Sequence, residues 1–385
     1  MLLLVLSCAA GFAPTQPAVP LVGYTELRTN LPGGRHANVR TMRAAVVGAD
    51  GTGRRRLGEN LATEADTWTQ FAGWSPDGST AVLGVGWQSP ENAAWEEENK
   101  RFRMDAGRWK LDSYLLDLAT GKATNVTAVE RVSHYNGGLF YLPGGRGLGF
   151  TPLVNGVSKP HVMDLDGRNK RGVSGAGGGF AYGFNASPDG TRVSYHENYQ
   201  LHVSAADGSN KTRVKTGNPF DFAPTWSPDG TWLLFLSGAH YDCHPHVVRP
   251  DGSGLKKLAD RGGYKGVIEF LDVPDFHGGS SDTPTWSADG KRVYYTAKVG
   301  PAVELFETTL DGRATRLTTS AAGCLHYHPQ PSKDGRHLVY GSMRDGVRNV
   351  YVRKLDDGTE TRVTAMTPGS GTMWPQWQPR AADRR

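Results

Sequence analysis

Short apolar runs set between turn residues recur along the chain. The clearest is residues 222–237, FAPTWSPDGTWLLFLS. Pro228, Asp229 and Gly230 supply a tight turn there: proline fixes φ, aspartate bonds nearby backbone and glycine accepts positive φ. Leu233, Leu234, Phe235 and Leu236 follow as an apolar run of strand length. The same hairpin returns at 70–84 (QFAGWSPDGSTAVLG), 183–197, 283–297 and 328–342, and in degenerate form at 140–150. Each copy precedes a second hairpin, marked by residues 117–127 or by Asp166-Gly167, Asp207-Gly208, Asp251-Gly252, Asp311-Gly312 and Asp357-Gly358. Repeats of this length predict a solenoid or a propeller, and four strands per repeat select the propeller.

Complete repeats are expected at 67–127, 134–174, 182–215, 222–259, 282–318 and 327–364. Residues 24–57 read as the second half of a blade, and the tail 373–379, MWPQWQP, matches the front of a repeat without its second half. Joining the two predicts an all-β, seven-bladed β-propeller of four-stranded blades, one blade closed by N- and C-terminal strands. Closure removes exposed sheet edges. One insertion interrupts the pattern. Ser89 and Pro90 suit the cap and first turn of a short helix. Glu96 with Lys100, and Glu97 with Arg101, then predict a charged, solvated face.

Composition changes this picture little. Fifty Gly and 23 Pro among 385 residues suit a turn-dense β protein. The formal charge of +5 is spread thinly, and Arg54-Arg55-Arg56 beside a turn reads as a solvated loop, so no nucleic-acid partner is expected. Residues 1–20 differ from the rest. Their apolar run and small residues have the form of a signal peptide, too short to span a bilayer. Export to a periplasmic or extracellular location is therefore expected, with residues 21–380 forming a single propeller domain and a monomer. Val5-Leu6-Ser7-Cys8 loosely resembles a lipoprotein cleavage box that would anchor the chain through Cys8, and plain cleavage is the alternative. No later segment reads as transmembrane. Cys243 and Cys324 fall in different repeats; two buried free thiols are expected, with a disulfide the alternative.

Topology decides where chemistry can sit. The SPDG-type and DG turns share one end of the ring. The loops between blades and between second and third strands share the other. Eight of the 12 histidines map to that second end: His134, His196, His240, His244, His246, His277, His326 and His328. His240, His244 and His246 read as members of one loop, residues 239–246. His326-x-His328 on an extended strand would put both imidazoles on one side, a workable geometry for one divalent ion. Asp242, Asp275 and Asp282 lie near as ligands or orienters. The bland alternative is that these histidines satisfy loop backbone or stack on aromatics. His36, His161, His202 and His337 read as structural.

WSPDG at 74–78 and 226–230, WSADG at 286–290 and ASPDG at 186–190 resemble the TolB-type WD40-like (PD40) propeller family. The small α/β domain of TolB has no counterpart here, so no Tol-system role is expected. The pattern also resembles the oligogalacturonate lyases, seven-bladed propellers of this repeat type. That resemblance implies a divalent metal, manganese, on His326 and His328 with an earlier histidine, His240 or His244, and a glutamine. The glutamine position is Gly323 here; Gln330 or Asp242 would have to substitute, and His277 is a further candidate ligand. β-Elimination from a uronate needs a cation on the carboxylate and a base for the α-proton. His196, His134, Lys298 and Arg344 are the candidates for base or substrate binding. The expectation is thus a lyase-like enzyme on acidic oligosaccharides, or a non-catalytic propeller binding a protein or glycan. No Gly-x-Ser-x-Gly elbow and no Walker-type loop occurs.

Overall fold

The repeated turn closes the same way wherever it occurs. Ser227 donates its hydroxyl to the Asp229 carboxylate at 2.5 Å, and that carboxylate accepts the Thr231 N–H at 3.0 Å. The Trp232 N–H returns to the Ser227 hydroxyl at 2.9 Å, and Gly230 takes φ 71°. Ser75/Asp77, Ser187/Asp189, Ser287/Asp289 and Ser332/Asp334 repeat the arrangement. The sequence motif is thus a local fold instruction: its side chains fix the chain reversal before any blade packs.

The computed structural model describes residues 19–99, 103, 107–128, 139–175, 179–239, 242–269 and 279–380. Seven antiparallel four-stranded sheets form a closed ring. Blade 1 is composite: Ser370–Trp377, Leu21–Arg28, Arg43–Gly48 and Arg55–Arg56. Blade 2 comprises Thr67–Trp74, Thr80–Gln88, Trp109–Asp117 and Ala123–Asn125. Blade 3 comprises Phe140–Tyr141, Leu148–Phe150, His161–Met163 and Arg171–Gly172. Blade 4 comprises Ala181–Ala186, Arg192–Glu197, Gln200–Ala205 and Thr212–Arg213. Blade 5 comprises Phe220–Trp226, Leu233–Ala239, Asp242–Val248 and Lys256–Lys257. Blade 6 comprises Thr285–Trp286, Arg292–Val299, Ala302–Thr309 and Ala314–Arg316. Blade 7 comprises His326–Pro331, His337–Ser342, Asn349–Lys354 and Glu360–Arg362.

The seven-bladed prediction holds, with one change at the closure. The N-terminal segment supplies three strands of blade 1 and the tail only one, paired as Val22↔Trp377 and Glu26↔Thr372. The chain break therefore falls at the first turn of the blade, where Pro379 leads out and no covalent hairpin is needed. Gln378 bridges it: its amide oxygen accepts the Leu21 N–H and its own N–H donates to the Leu21 carbonyl, both at 2.9 Å. Two short ribbons were not legible in the repeats, Leu153–Val154 with Val157–Ser158 and Val267–Glu269 with Gly279–Ser281.

Hydrogen bonds hold each blade; apolar packing holds blade to blade. Val22, Tyr24 and Trp377 pack on Val339 and Val350, sealing blade 1 against blade 7. Leu201, Trp226 and Phe235 do the same between blades 4 and 5, and Leu305, Leu338 and Tyr340 between 6 and 7. Leu233, Leu234 and Phe235 are wholly buried, and each such side chain contributes about 1.5–3 kcal/mol. The fourth strands are exposed, which puts them on the rim and the first strands toward the ring axis. Gly341 lies directly opposite Tyr327; a Cβ there would stand 2.0 Å from the ring.

The predicted helix forms at Pro90–Asn99, and the Ser89 hydroxyl caps it by accepting the Asn92 N–H at 3.1 Å. Its expected solvated glutamate face is corrected at Glu96. That carboxylate is buried, accepting from the Gln88 amide at 2.8 Å, the Asn92 amide at 3.3 Å and the Arg103 N–H at 2.7 Å. Lys100 and Arg101 lie outside the described residues, as do residues 1–18 of the expected leader, Cys8 among them. Cys243 and Cys324 are buried free thiols. Among the described residues no helix is long and apolar enough to cross a membrane.

Candidate functional site

The first strands carry a recurrent irregularity at the loop end of the ring. Gly183, Ala223, His328 and Trp374 all take φ between 51° and 64°, each at a register shift of its strand. This bulge defeats the simple alternation expected for His326-x-His328. A left-handed residue turns the strand, so the two imidazoles enter different surroundings.

His326 is fully buried between blades 6 and 7. Its Nε2 lies 2.8 Å from the Ser320 hydroxyl, 3.5 Å from the Glu304 carboxylate and 3.7 Å from Cys324 Sγ. Its ring stands edge-on to Tyr340. Burial, reinforced by the Arg344 guanidinium, pushes its pKa down to about 4. Glu304 is itself saturated, accepting from Thr318, Arg316 and the Ser320 N–H at 2.5–2.8 Å.

His328 belongs to a second network. Its backbone N–H donates to Asp282 at 2.8 Å, and burial lowers the pKa of its ring. Asp282 also accepts from Thr296 at 2.5 Å and Tyr264 at 3.2 Å, with Arg261 Nη2 at 3.5 Å. Arg261 is 1 % exposed, a buried cation whose donors end on Asp282 and Thr296. Its backbone N–H donates to His244 Nδ1 at 3.3 Å. Arg261 thus links His244 in blade 5 to Asp282 and His328 near blade 7. Sequence reasoning missed it, and nothing in its loop sequence marks it.

His244 and Asp242 do come together, with Nε2 3.3 Å from the Asp242 carboxylate and 3.6 Å from Asp260. They stand on a strand, however. Most of the expected eight-residue loop is strand, because Ala239 pairs with Asp242 and the register continues through Leu233↔Val248. His246, on that same strand, is buried against Phe235.

The described candidates for base or substrate binding, His196, Lys298 and Arg344, are equally dispersed. His196 is fully buried on the second strand of blade 4, edge-on to Tyr182 and stacked on Tyr199, with Nδ1 3.4 Å from the Ala223 N–H. Burial pushes its pKa down to about 3. Arg344 donates to Glu360 at 2.6 Å and to Tyr340 at 2.9 Å, and its guanidinium lies 4.5 Å over Tyr351. Lys298 is exposed at the end of its strand. His134, His240 and His277 lie outside the described residues. Gln330 sits beyond the bulge, opposite Val339.

These positions do not fit a metal centre among the described residues. No group of three or more His, Cys, Asp or Glu side chains there converges as a metal ion requires. The physical reason is the bulge at His328 together with the separate carboxylates that hold each network.

The turn end, to which no chemistry was assigned, carries a cavity of about 460 Å³ between blades 7, 1, 2 and 3. Trp74, Phe140 and Tyr141 wall one side, and Gln376, Lys333 and Arg380 also line it.

No family profile matches the chain. An uncharacterized protein of Agrobacterium fabrum, Atu1656, is 30% identical over 207 residues, covering 50% of this chain and 64% of that protein. The match therefore spans less than two thirds of that relative's length. Among solved structures, TolB from Acinetobacter baumannii superposes with TM-score 0.53 at 15% identity, over 94% of this chain and 68% of TolB. An oligogalacturonate lyase in complex with manganese gives 0.57 at 17%, over 85% and 84%. The oligogalacturonate lyase of Vibrio parahaemolyticus gives 0.55 at 13%, over 91% and 88%. The resemblance read from the repeats is thus borne out in the fold, which at these identities is what the likeness establishes.

Proposed function

We propose that this chain is an exported binding propeller that recognises an acidic oligosaccharide without transforming it. One observation carries the reading. The described imidazoles suited to base or metal chemistry are buried or engaged by separate partners, His196 by aromatic rings, His326 by Ser320 and Glu304, His244 by Asp242 and Asp260. A general base must reach the proton it removes and titrate near the working pH. The formal charge of +5 favours an anionic ligand, and the leader-like residues 1–20 favour export.

The test is calorimetric titration of the purified chain with uronate oligomers and neutral oligomers of equal length, while absorbance is followed for an unsaturated product. Saturable binding of the acidic series without new absorbance is expected. New absorbance replaces this reading with the lyase. Binding of neither series removes the glycan and leaves a protein ligand as the partner to pursue.

The fold likeness to a manganese-bound oligogalacturonate lyase supports a second reading, metal-dependent β-elimination. It would draw on His326, His328, His244 and Asp242 together with His240 and His277. Metal analysis of the wild type beside His326→Ala/His328→Ala separates the two: stoichiometric manganese lost in the double variant favours the lyase.

A further inference from the structure

We infer that the cavity at the turn end of the ring is an anion-selective sugar site, one that takes a single carboxylated sugar unit. The inference rests on the binding reading above and gives it a location. The cavity volume of about 460 Å³ falls within the range of roughly 300–1,000 Å³ typical of small-molecule sites. Its walls are chemically divided. Trp74, Phe140 and Tyr141 offer aromatic surface from blades 2 and 3, while Lys333 and Arg380 bring cations from blade 7 and the tail. No aspartate or glutamate is among the residues that line it. Lys333 is exposed and forms no ion pair among the described residues.

The polar lining is positioned, not loose. The Trp74 indole N–H donates to the Gln376 carbonyl at 3.3 Å, and the Gln376 side-chain amide donates to the Ala72 carbonyl at 3.1 Å. Those bonds fix the ring and leave the Gln376 amide oxygen to accept from a hydroxyl. A pyranose has an apolar face for stacking and a rim of hydroxyls, and a carboxylate adds the group that Lys333 and Arg380 would hold. The site is built where the ring closes: Gln376 and Arg380 come from the tail, Trp74 from blade 2. It lies at the opposite end from the histidines.

The experiment titrates trigalacturonate and maltotriose into the purified full chain, into Lys333→Glu and into Lys122→Glu. Lys122 is an exposed lysine in a second-hairpin turn of blade 2, away from the cavity, and its variant carries the same change in net charge. The expected result is at least tenfold weaker trigalacturonate binding by Lys333→Glu, less than a twofold change for Lys122→Glu, and maltotriose at least tenfold weaker than trigalacturonate on the wild type. Equal weakening in both variants, or in neither, overturns this site while leaving the binding reading standing. Absence of binding by the wild type overturns both.

Discussion

His196 makes the stability of this ring acid-sensitive in a calculable way. Its imidazole is wholly buried, edge-on to Tyr182 at 3.9 Å between centroids and stacked on Tyr199. With Nδ1 accepting the Ala223 N–H, Nε2 carries the ring hydrogen without a partner, and a second proton could go only on Nδ1, where it would displace that bond. The folded pKa is pushed from 6.5 down to about 3 by burial. Between those values the unfolded chain holds more protons than the folded one, so stability rises with pH across that window. The contribution is complete above the unfolded value and falls as the solution is acidified toward the folded value. At pH 4 the loss from this one group amounts to about 3 kcal/mol. That is a large share of the roughly 5–15 kcal/mol that holds an ordinary domain. His196→Phe keeps an aromatic ring in the same cage and removes the titration. Urea unfolding of both proteins at pH 7 and pH 4 isolates the effect as a double difference. Wild type should lose about 3 kcal/mol more than the variant over that interval. At pH 7 the variant should lie within about 1 kcal/mol of wild type, the worth of the long bond to the Ala223 N–H. Equal pH slopes for the two proteins would refute the argument, because they would mean His196 is as free to protonate folded as unfolded.

Two further outcomes follow from buried groups elsewhere. Arg261→Met removes the cation facing Asp282 and leaves that carboxylate buried; unfolding stability at pH 7 should fall by about 3–5 kcal/mol. The companion Arg261→Met/Asp282→Asn should recover part of the loss, and failure to recover any would mean the pair is not the source. Cys243 and Cys324 are both buried, and burial pushes the Cys243 thiol up to about 12. In a Cys8→Ser background a thiol reagent should find no fast-reacting group until the chain is unfolded, then two; rapid labelling of the folded protein would contradict this burial.

Much of the molecule was written locally. The SPDG-type turns close through the side chains of the motif itself, Ser227 to Asp229 and Asp229 to Thr231, so a reader of sequence recovers them without knowing the fold. Five such turns, the degenerate copy at 140–150 and the repeat split between 24–57 and 373–379 gave seven blades, and the apolar runs between them gave the faces on which blades pack. The helix cap at Ser89 was equally local. What sequence could not supply was anything set by two segments meeting. Glu96 looked solvated because its helix reads as polar, yet Gln88 and Asn92 receive it in a buried pocket. The pairing of His326 and His328 assumed a regular strand, whereas His328 sits at a bulge and gives its N–H to Asp282, 46 residues away and just before blade 6. Arg261, joining blades 5 and 6 through bonds to residues 17 to 35 positions away, has no local signature at all. The turn-end cavity likewise combines Trp74 with Gln376, about 300 residues apart, and exists because the ring closes there. Period and turn chemistry belong to short stretches and survive in one dimension; the surroundings of a buried charge are made by closure, and tertiary structure decides them.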